Sequence, residues 1–183
     1  MALVHSEMVP LGSPAIPFRL PGVDGKTYSL ESFKDRGILV VIFMCNHCPY
    51  VKATIDRMVA IQRDYQDHGV QLVGINPNDV VTYPEDSFEN MKRFARERKV
   101  NFPYLQDESQ GIARKYKAVC TPDIFVYGPD RKLAYRGRID DNWQDEKKVL
   151  RKDLRRALDM LISKQPLPAE QHPSMGCSIK WKQ

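Results

Sequence analysis

Along this chain the apolar and polar positions change rhythm several times, and each change marks an element. GILVVIFM (37–44) is apolar without alternation and rich in β-branched residues, which predicts a strand covered on both faces. From Cys48 to about Asp67 the residues Val51, Ile55, Met58, Val59, Gln62 and Tyr65 recur at helical spacing and predict an amphipathic helix of several turns. VQLVGIN (70–76) reads as a second buried strand. Phe88, Met91, Phe94 and Ala95 share one face of a helix over about 87–99, and a shorter helix covers about 109–116. Strands at about 123–127 and 132–138 flank Gly128-Pro129-Asp130-Arg131, a hairpin turn. Leu150, Leu154, Leu158 and Leu161 place a last helix over about 145–163.

Ahead of these elements, Asp24-Gly25 in PFRLPGVDGKTYSLESFKD (17–35) is a turn between two short extended pieces, so a hairpin precedes the central strand. The order β–α–β–α–β–β–α implies an α/β fold, with a mixed central sheet flanked by helices, because parallel neighbours need crossover connections. One domain over residues 14–163 is expected, with a lead over 1–13. The Pro-rich tail over 164–183, KQPLPAEQHPSMGCSIKWKQ, has a Gly, Cys, Ile and Trp near its end that suggest it folds back on the domain.

With 183 residues, 42% hydrophobic and 28% charged, the chain can bury one ordinary core. Its longest apolar run, Ile38 to Cys45, falls far short of the roughly 20 residues that span a bilayer. MALVHSEMVPLGSPAIP shows no basic segment followed by a hydrophobic one, so the expectation is a cytoplasmic protein without a membrane role. The net charge of +5 comes from basic residues interleaved with acids, as in KRFARERK (92–99), which describes a solvated helix face rather than a nucleic-acid surface.

The chemistry concentrates in MCNHCPYVKA (44–53), where Cys45 and Cys48 follow the central strand directly. Haem attachment needs His after the second cysteine, and Pro49 stands there. A zinc site needs a second close pair, whereas Cys120 and Cys177 stand alone, so no metal is expected. A structural disulfide closing so small a loop would constrain the unfolded chain little. A redox dithiol explains the placement: N–H groups and the positive dipole end at a helix start favour thiolate, and Pro49 fits only the first turn of that helix. His47 adds a partly cationic neighbour expected to stabilise the Cys45 thiolate and make the pair more oxidising, nearer about −200 mV than about −270 mV. The reading requires a helix mouth open to solvent and sulfurs free of metal.

The strand, the C-N-H-C segment and the helix resemble the thioredoxin-like superfamily, and Thr121-Pro122 ahead of DIFVY resembles its cis-proline loop. PFRLPGVDGKTYSLESFKD resembles the N-terminal hairpin extension of the redoxin branch, shared by peroxiredoxins of the AhpC/TSA type and thiol-disulfide proteins related to ResA and TlpA. The resemblance implies a thioredoxin-like fold. It also implies a cis Thr121–Pro122 peptide beside the dithiol, where the backbone of residue 121 pairs with an extended substrate. Peroxiredoxins carry Pro-x-x-x-Thr-x-x-Cys; taking Cys48 as the peroxide-reacting cysteine puts Val41 and Cys45 at the Pro and Thr positions, and taking Cys45 puts Ile38 and Ile42 there. Neither register supplies the hydroxyl.

The expected activity is thiol–disulfide exchange with protein or small thiol substrates. Following the thioredoxin pattern, Cys45 attacks and Cys48 resolves, with Pro49 just behind Cys48 leaving the swapped order open; Thr121 and Pro122 bind substrate, and no cofactor beyond the redox-active disulfide is expected. The partners expected are a disulfide-bearing substrate and a dithiol reductant or oxidant, with the protein a monomer or weak dimer. A peroxiredoxin-like thiol peroxidase and a non-catalytic binding module are the alternatives. Cys120 reads as a small buried hydrophobe, and a Cys120–Cys177 bridge or relay is an open option. Arg136 and Arg138, alternating in YRGRIDD, are expected to face solvent on an edge strand. Trp143 packs near the site or caps the last helix.

Overall fold

A computed structural model describes residues 3–183. The chain runs β1 (Leu3–His5), β2 (Arg19–Pro21), β3 (Thr27–Ser29), β4 (Ile38–Phe43), α1 (Pro49–Tyr65), β5 (Val70–Asn76), α2 (Phe88–Glu97), β6 (Tyr104–Gln106), α3 (Gly111–Tyr116), β7 (Cys120–Thr121), β8 (Asp123–Tyr127), β9 (Leu133–Arg136), α4 (Asp153–Ile162) and β10 (Met175–Ser178). Five strands form the central sheet in the order β6-β5-β4-β8-β9. β4, β5 and β6 run parallel, and β8 and β9 are antiparallel to their neighbours, so the sheet is mixed. β2 and β3 form the N-terminal hairpin.

β4 lies at the centre with all six residues buried, and its alternation divides the core in two. Ile38, Val40 and Ile42 pack with Val51, Ile55 and Met58 of α1, Met91 of α2, and Leu154 and Leu158 of α4. Leu39, Val41 and Phe43 face the other way, onto Tyr116 of α3 and onto Phe18 and Phe33 of the N-terminal segment. Each such side chain contributes about 1.5–3 kcal/mol on burial. The unalternating apolar run is thus the signature of a strand with two cores.

The last helix is shorter than the leucine spacing predicts. A 3₁₀ turn at Glu146–Lys148 precedes α4, and Leu150 is 88% exposed. The Asp141 carboxylate accepts the N–H of Leu150 at 2.9 Å and of Arg151 at 3.1 Å, while Leu154 N–H donates to Ile139 O at 3.0 Å. The segment through Arg151 is thereby held as a loop, and α4 starts only at Asp153.

Arg136 corrects a second expectation. It is fully buried, paired with Asp123 of β8 and laid over the Phe125 ring at 3.8 Å. The tail makes this environment: Gln171 accepts the Arg136 N–H at 2.7 Å and donates to Ala134 O at 3.1 Å, capping an edge that would otherwise be open. Arg138 pairs with Asp153 at 2.6 Å instead of standing free.

Residues 174–180 continue along the domain. β10 pairs antiparallel with β7 on one side and with β1 on the other, giving a three-stranded sheet in the order β1-β10-β7. No helix among the described residues is long and apolar enough to cross a membrane.

Candidate functional site

The carboxyl end of β4 hands over to α1 through Met44, Cys45, Asn46, His47 and Cys48. Cys48 keeps an extended backbone, as a residue before proline prefers, and Pro49 takes the first helical position, where no N–H is needed. Lys52 N–H then donates to Cys48 O at 2.9 Å and closes the first turn. This local grammar puts both sulfurs at the positive end of α1.

Opposite them lies the Thr121–Pro122 peptide, which is cis. The Thr121 hydroxyl is 3.4 Å from Cys45 Sγ, and the Thr121 carbonyl accepts from Cys48 Sγ at 3.0 Å. One residue therefore touches both thiols. All four cysteines are free thiols.

The two sulfurs differ in which protonation state their surroundings favour. Cys48 is lowered to about 5, chiefly by the neighbouring Cys45 thiol, with help from the Thr121 side chain and the main-chain N–H groups of Val51 and Cys177. The Thr121 carbonyl works the other way, since it can only accept, yet the donors outnumber it. Cys45 is raised well above the usual thiol range by burial, by its bond to Cys48 and by the nearby Asp86 carboxylate. These directions make Cys48 the more acidic of the two thiols, with burial first and the Asp86 carboxylate after it acting against an anion on Cys45.

Asp86 organises that side. Fully buried, it accepts from Asn46 N–H at 2.8 Å, Asn78 Nδ2 at 2.7 Å and His47 Nδ1 at 2.6 Å. Its hydrogen bond raises the pKa of His47 against the opposing effect of burial. The His47 ring stacks on Tyr83 with centroids 5.5 Å apart, and a cationic His47 in turn favours the Cys48 anion. Asn46 is held by Tyr104, whose hydroxyl donates to its side-chain oxygen at 2.9 Å. Asp86, Asn78 and Tyr104 lie outside any motif, and Asn46, although inside C-N-H-C, has no role written there; the polar composition of the 76–86 loop is the sole hint that it carries more than a connection.

Cys45, His47 and Asp86 also bring one ligand atom each within 4.8 Å of one another. The Asp86 oxygens are engaged by the Asn46 and Asn78 amide donors and the His47 imidazole, so the three residues form part of a hydrogen-bond network.

A third expectation fails: the helix mouth is not open. Cys45 is 1% exposed and Cys48 0%. The cover is β10, whose Cys177 pairs in register with Thr121 and whose Ser178 pairs with Cys120. Cys120 is buried, is pushed up by that burial and donates to Pro122 O at 3.6 Å. Adjacent strand positions point to opposite faces, so Cys177 shares the face of Thr121 and the dithiol rather than that of Cys120. Trp143 belongs to the surroundings of the site: its ring lies 4.0 Å from that of Tyr50, and the two border a cleft with Pro122, Ile139, Ser174 and Met175.

Comparison with known proteins gives this arrangement relatives. The AhpC/TSA family model matches residues 11–136. An uncharacterized conserved protein from Geobacillus kaustophilus has a crystal structure 47% identical to this chain, covering 100% of it and 97% of that protein, with a TM-score of 0.95. Thiol-disulfide oxidoreductase ResA of Bacillus thuringiensis is 20% identical over 80% of each chain. Chloroplastic peroxiredoxin Q of Triticum aestivum is 23% identical over 75% of this chain. The chain spans 62% of that peroxiredoxin and 59% of its counterpart from Sedum lineare.

Proposed function

This chain belongs to the AhpC/TSA family, within the redoxin branch of the thioredoxin superfamily, and on that premise we propose that it is a thiol-disulfide oxidoreductase working through Cys45 and Cys48. The observation that carries the reading is two reduced sulfurs at the start of α1, both touched by Thr121 of the cis-proline loop. The Cys48 thiolate attacks one sulfur of a substrate disulfide, that S–S bond breaks, and the departing sulfur takes a proton. Cys45 gives up its proton and attacks Cys48 in the mixed disulfide, releasing the second substrate sulfur. Two electrons pass to the substrate, whose two sulfurs take one proton from Cys45 and one from solvent, and the Cys45–Cys48 disulfide remains. A dithiol reductant restores the pair.

Thr121 and Pro122 are the substrate-facing groups in this proposal, and His47 tunes the couple. Because the closed site leaves no room for a folded substrate, exchange with a protein disulfide requires β10 to lift. The test is the redox potential of the 45/48 couple, measured against glutathione buffers. One two-electron transition nearer about −200 mV than about −270 mV is expected, moving to more negative values in His47→Ala. A dithiol that glutathione disulfide never oxidises, even in denaturant-loosened protein, would refute the activity.

A thiol peroxidase is the second reading, and the seal itself favours it, since a closed pocket admits a small oxidant more readily than a polypeptide. With Cys48 in the reactive register, Cys45 occupies the position of the peroxiredoxin threonine, so a thiol that favours the Cys48 anion stands where the hydroxyl would be. Peroxide-dependent consumption of dithiothreitol, abolished in Cys48→Ser, separates this reading from the first.

A further inference from the structure

We propose that the C-terminal strand β10 is a built-in occupant of the dithiol groove and that its Cys177 is a third redox thiol, exchanging disulfides with Cys48. The inference rests on the oxidoreductase reading above and adds a path by which oxidising equivalents leave a sealed site.

The geometry is specific. β10 lies antiparallel to β7 with Cys177 opposite Thr121, the residue that touches both dithiol sulfurs. The Cys177 thiol and its main-chain N–H both bear on the Cys48 sulfur, and Cys45, Cys48 and Cys177 share one buried cluster. The approach is close enough to demand glycine at 176. A β-carbon there would overlap the carbonyl oxygen of Thr121 and come within 3.2 Å of Pro122 N. Gly176 is therefore the residue that lets a strand lie against the cis-proline peptide.

Both ends of the strap are anchored. On one side Ser174 Oγ donates to Gly137 O at 2.7 Å and Ser6 N–H to Ser174 O at 2.9 Å. On the other, Ile179 N–H donates to Val119 O at 3.0 Å, Lys180 N–H to Asn78 Oδ1 at 2.9 Å, and Gln110 Nε2 to Lys180 O at 2.8 Å. Asn78 also holds Asp86, so the strap and the His47 network share a support. Cys177 is thus presented to Cys48 at a fixed register by bonds on either side of it.

The step balances without any added reagent. In the oxidised protein, the Cys177 sulfur, having lost its proton, attacks Cys48 Sγ. The Cys45–Cys48 bond breaks, a Cys48–Cys177 bond forms, and Cys45 leaves as a thiolate that takes the proton. No electrons are gained or lost. The disulfide moves from a pair locked between β4 and α1 to one tied to a strand held mainly by backbone pairing. A dithiol reductant can reach that strand once it peels from β7.

The experiment is non-reducing peptide mapping by mass spectrometry of the full chain, oxidised with glutathione disulfide and quenched by alkylation. Wild type should show both the 45–48 and the 48–177 linkages, and Cys45→Ser should show 48–177 alone. Cys177→Ser should lose the 48–177 linkage, keep 45–48 and slow reduction of the oxidised protein by dithiothreitol. Gly176→Val, which forces the strap off, should abolish 48–177 and speed alkylation of the dithiol, with circular dichroism checking that the domain remains folded. If Cys45→Ser yields glutathionylated Cys48 with Cys177 freely alkylated, Cys177 is not a redox partner, although a 45–48 linkage in wild type would still uphold the oxidoreductase. If no linkage forms at all, both readings fall.

Discussion

Replacing Cys45 by alanine should raise the pKa of Cys48, and the size of the change follows from the contacts. Cys48 is lowered from 9.0 to about 5, which makes it about 99% thiolate at pH 7 where an ordinary cysteine would be about 1%. That difference amounts to about 5 kcal/mol in favour of the anion. The largest single cause is the Cys45 thiol. A hydrogen bond to a charged group is worth about 1.5–3 kcal/mol, so its loss should move the Cys48 midpoint upward by about 1–2 pH units. The Val51 and Cys177 N–H groups and the Thr121 hydroxyl remain and hold it below 9.0.

Ultraviolet absorbance of the thiolate, followed through a pH titration, measures this directly. Wild type should show a step of one thiolate centred at about 5; Cys45→Ala should shift it, and Cys45→Ser, which keeps a donor, should shift it less. The same couple sets a stability trend. A group whose folded-state pKa is depressed stabilises the fold fully above its unfolded pKa of 9.0 and loses that stabilisation as pH falls toward about 5. The destabilisation caused by Cys48→Ala should therefore shrink by about 1.4 kcal/mol for each pH unit across that window. A wild-type midpoint near 9.0, or one unmoved by Cys45→Ala, would refute the assignment of the anion to Cys48.

Three further outcomes are expected. His47 has a folded-state pKa raised above 6.5, so its pairing with Asp86 stabilises the protein below 6.5, and that contribution is lost as pH rises through the folded value; Asp86→Asn should lower the His47 midpoint in an NMR titration and cost more stability in acid than in base. Truncating Arg136 to alanine leaves buried Asp123 without its cation and should cost about 3–5 kcal/mol in denaturant unfolding. Leu158→Ala, in the core, should cost about 2–5 kcal/mol, while Leu150→Ala, exposed on the segment ahead of α4, should stay within about 0.5 kcal/mol.

What the sequence disclosed follows from the range of the forces involved. β4, α1, β5 and α2 are legible because each writes its burial as a local period, and Pro49 fixes the start of α1 within a residue. The cysteine pair, its helix start and Thr121-Pro122 are legible for the same reason, being short motifs whose chemistry depends on close spacing. Leu150 shows where periodicity misleads: the leucine repeat runs through it, yet the Asp141 carboxylate, nine residues earlier, takes its N–H. β6 and β10, of three and four residues, are too short to write a period, and Arg136 reads as a surface residue because the side chain that caps its edge, Gln171, lies 35 residues away. Asp86 is the costliest omission. A carboxylate in a polar loop reads as solvated, and only the fold shows it buried beside Cys45, where it adds to burial in the decision of which sulfur is charged.

That decision and the seal over the dithiol have a common physical origin. A thiolate buried without donors would be prohibitively unfavourable, so a closed redox site has to carry its donors with it. Here Cys45, the Val51 N–H at the start of α1 and the Cys177 N–H of the covering strand supply them, and the last belongs to the lid itself. Lifting β10 therefore withdraws one donor from Cys48 as it admits solvent or substrate, so opening exchanges a fixed N–H for mobile water. Oxidation removes the charge that the Cys177 N–H stabilises, and with it part of the hold on the strap. The reduced protein should accordingly keep β10 more firmly seated than the 45–48 disulfide form. Hydrogen exchange at residues 177 and 179 of the Cys177→Ser variant, which can form only the 45–48 linkage, should be slower in the reduced protein than in the oxidised one; equal protection in the two states would mean that the strap does not sense the dithiol.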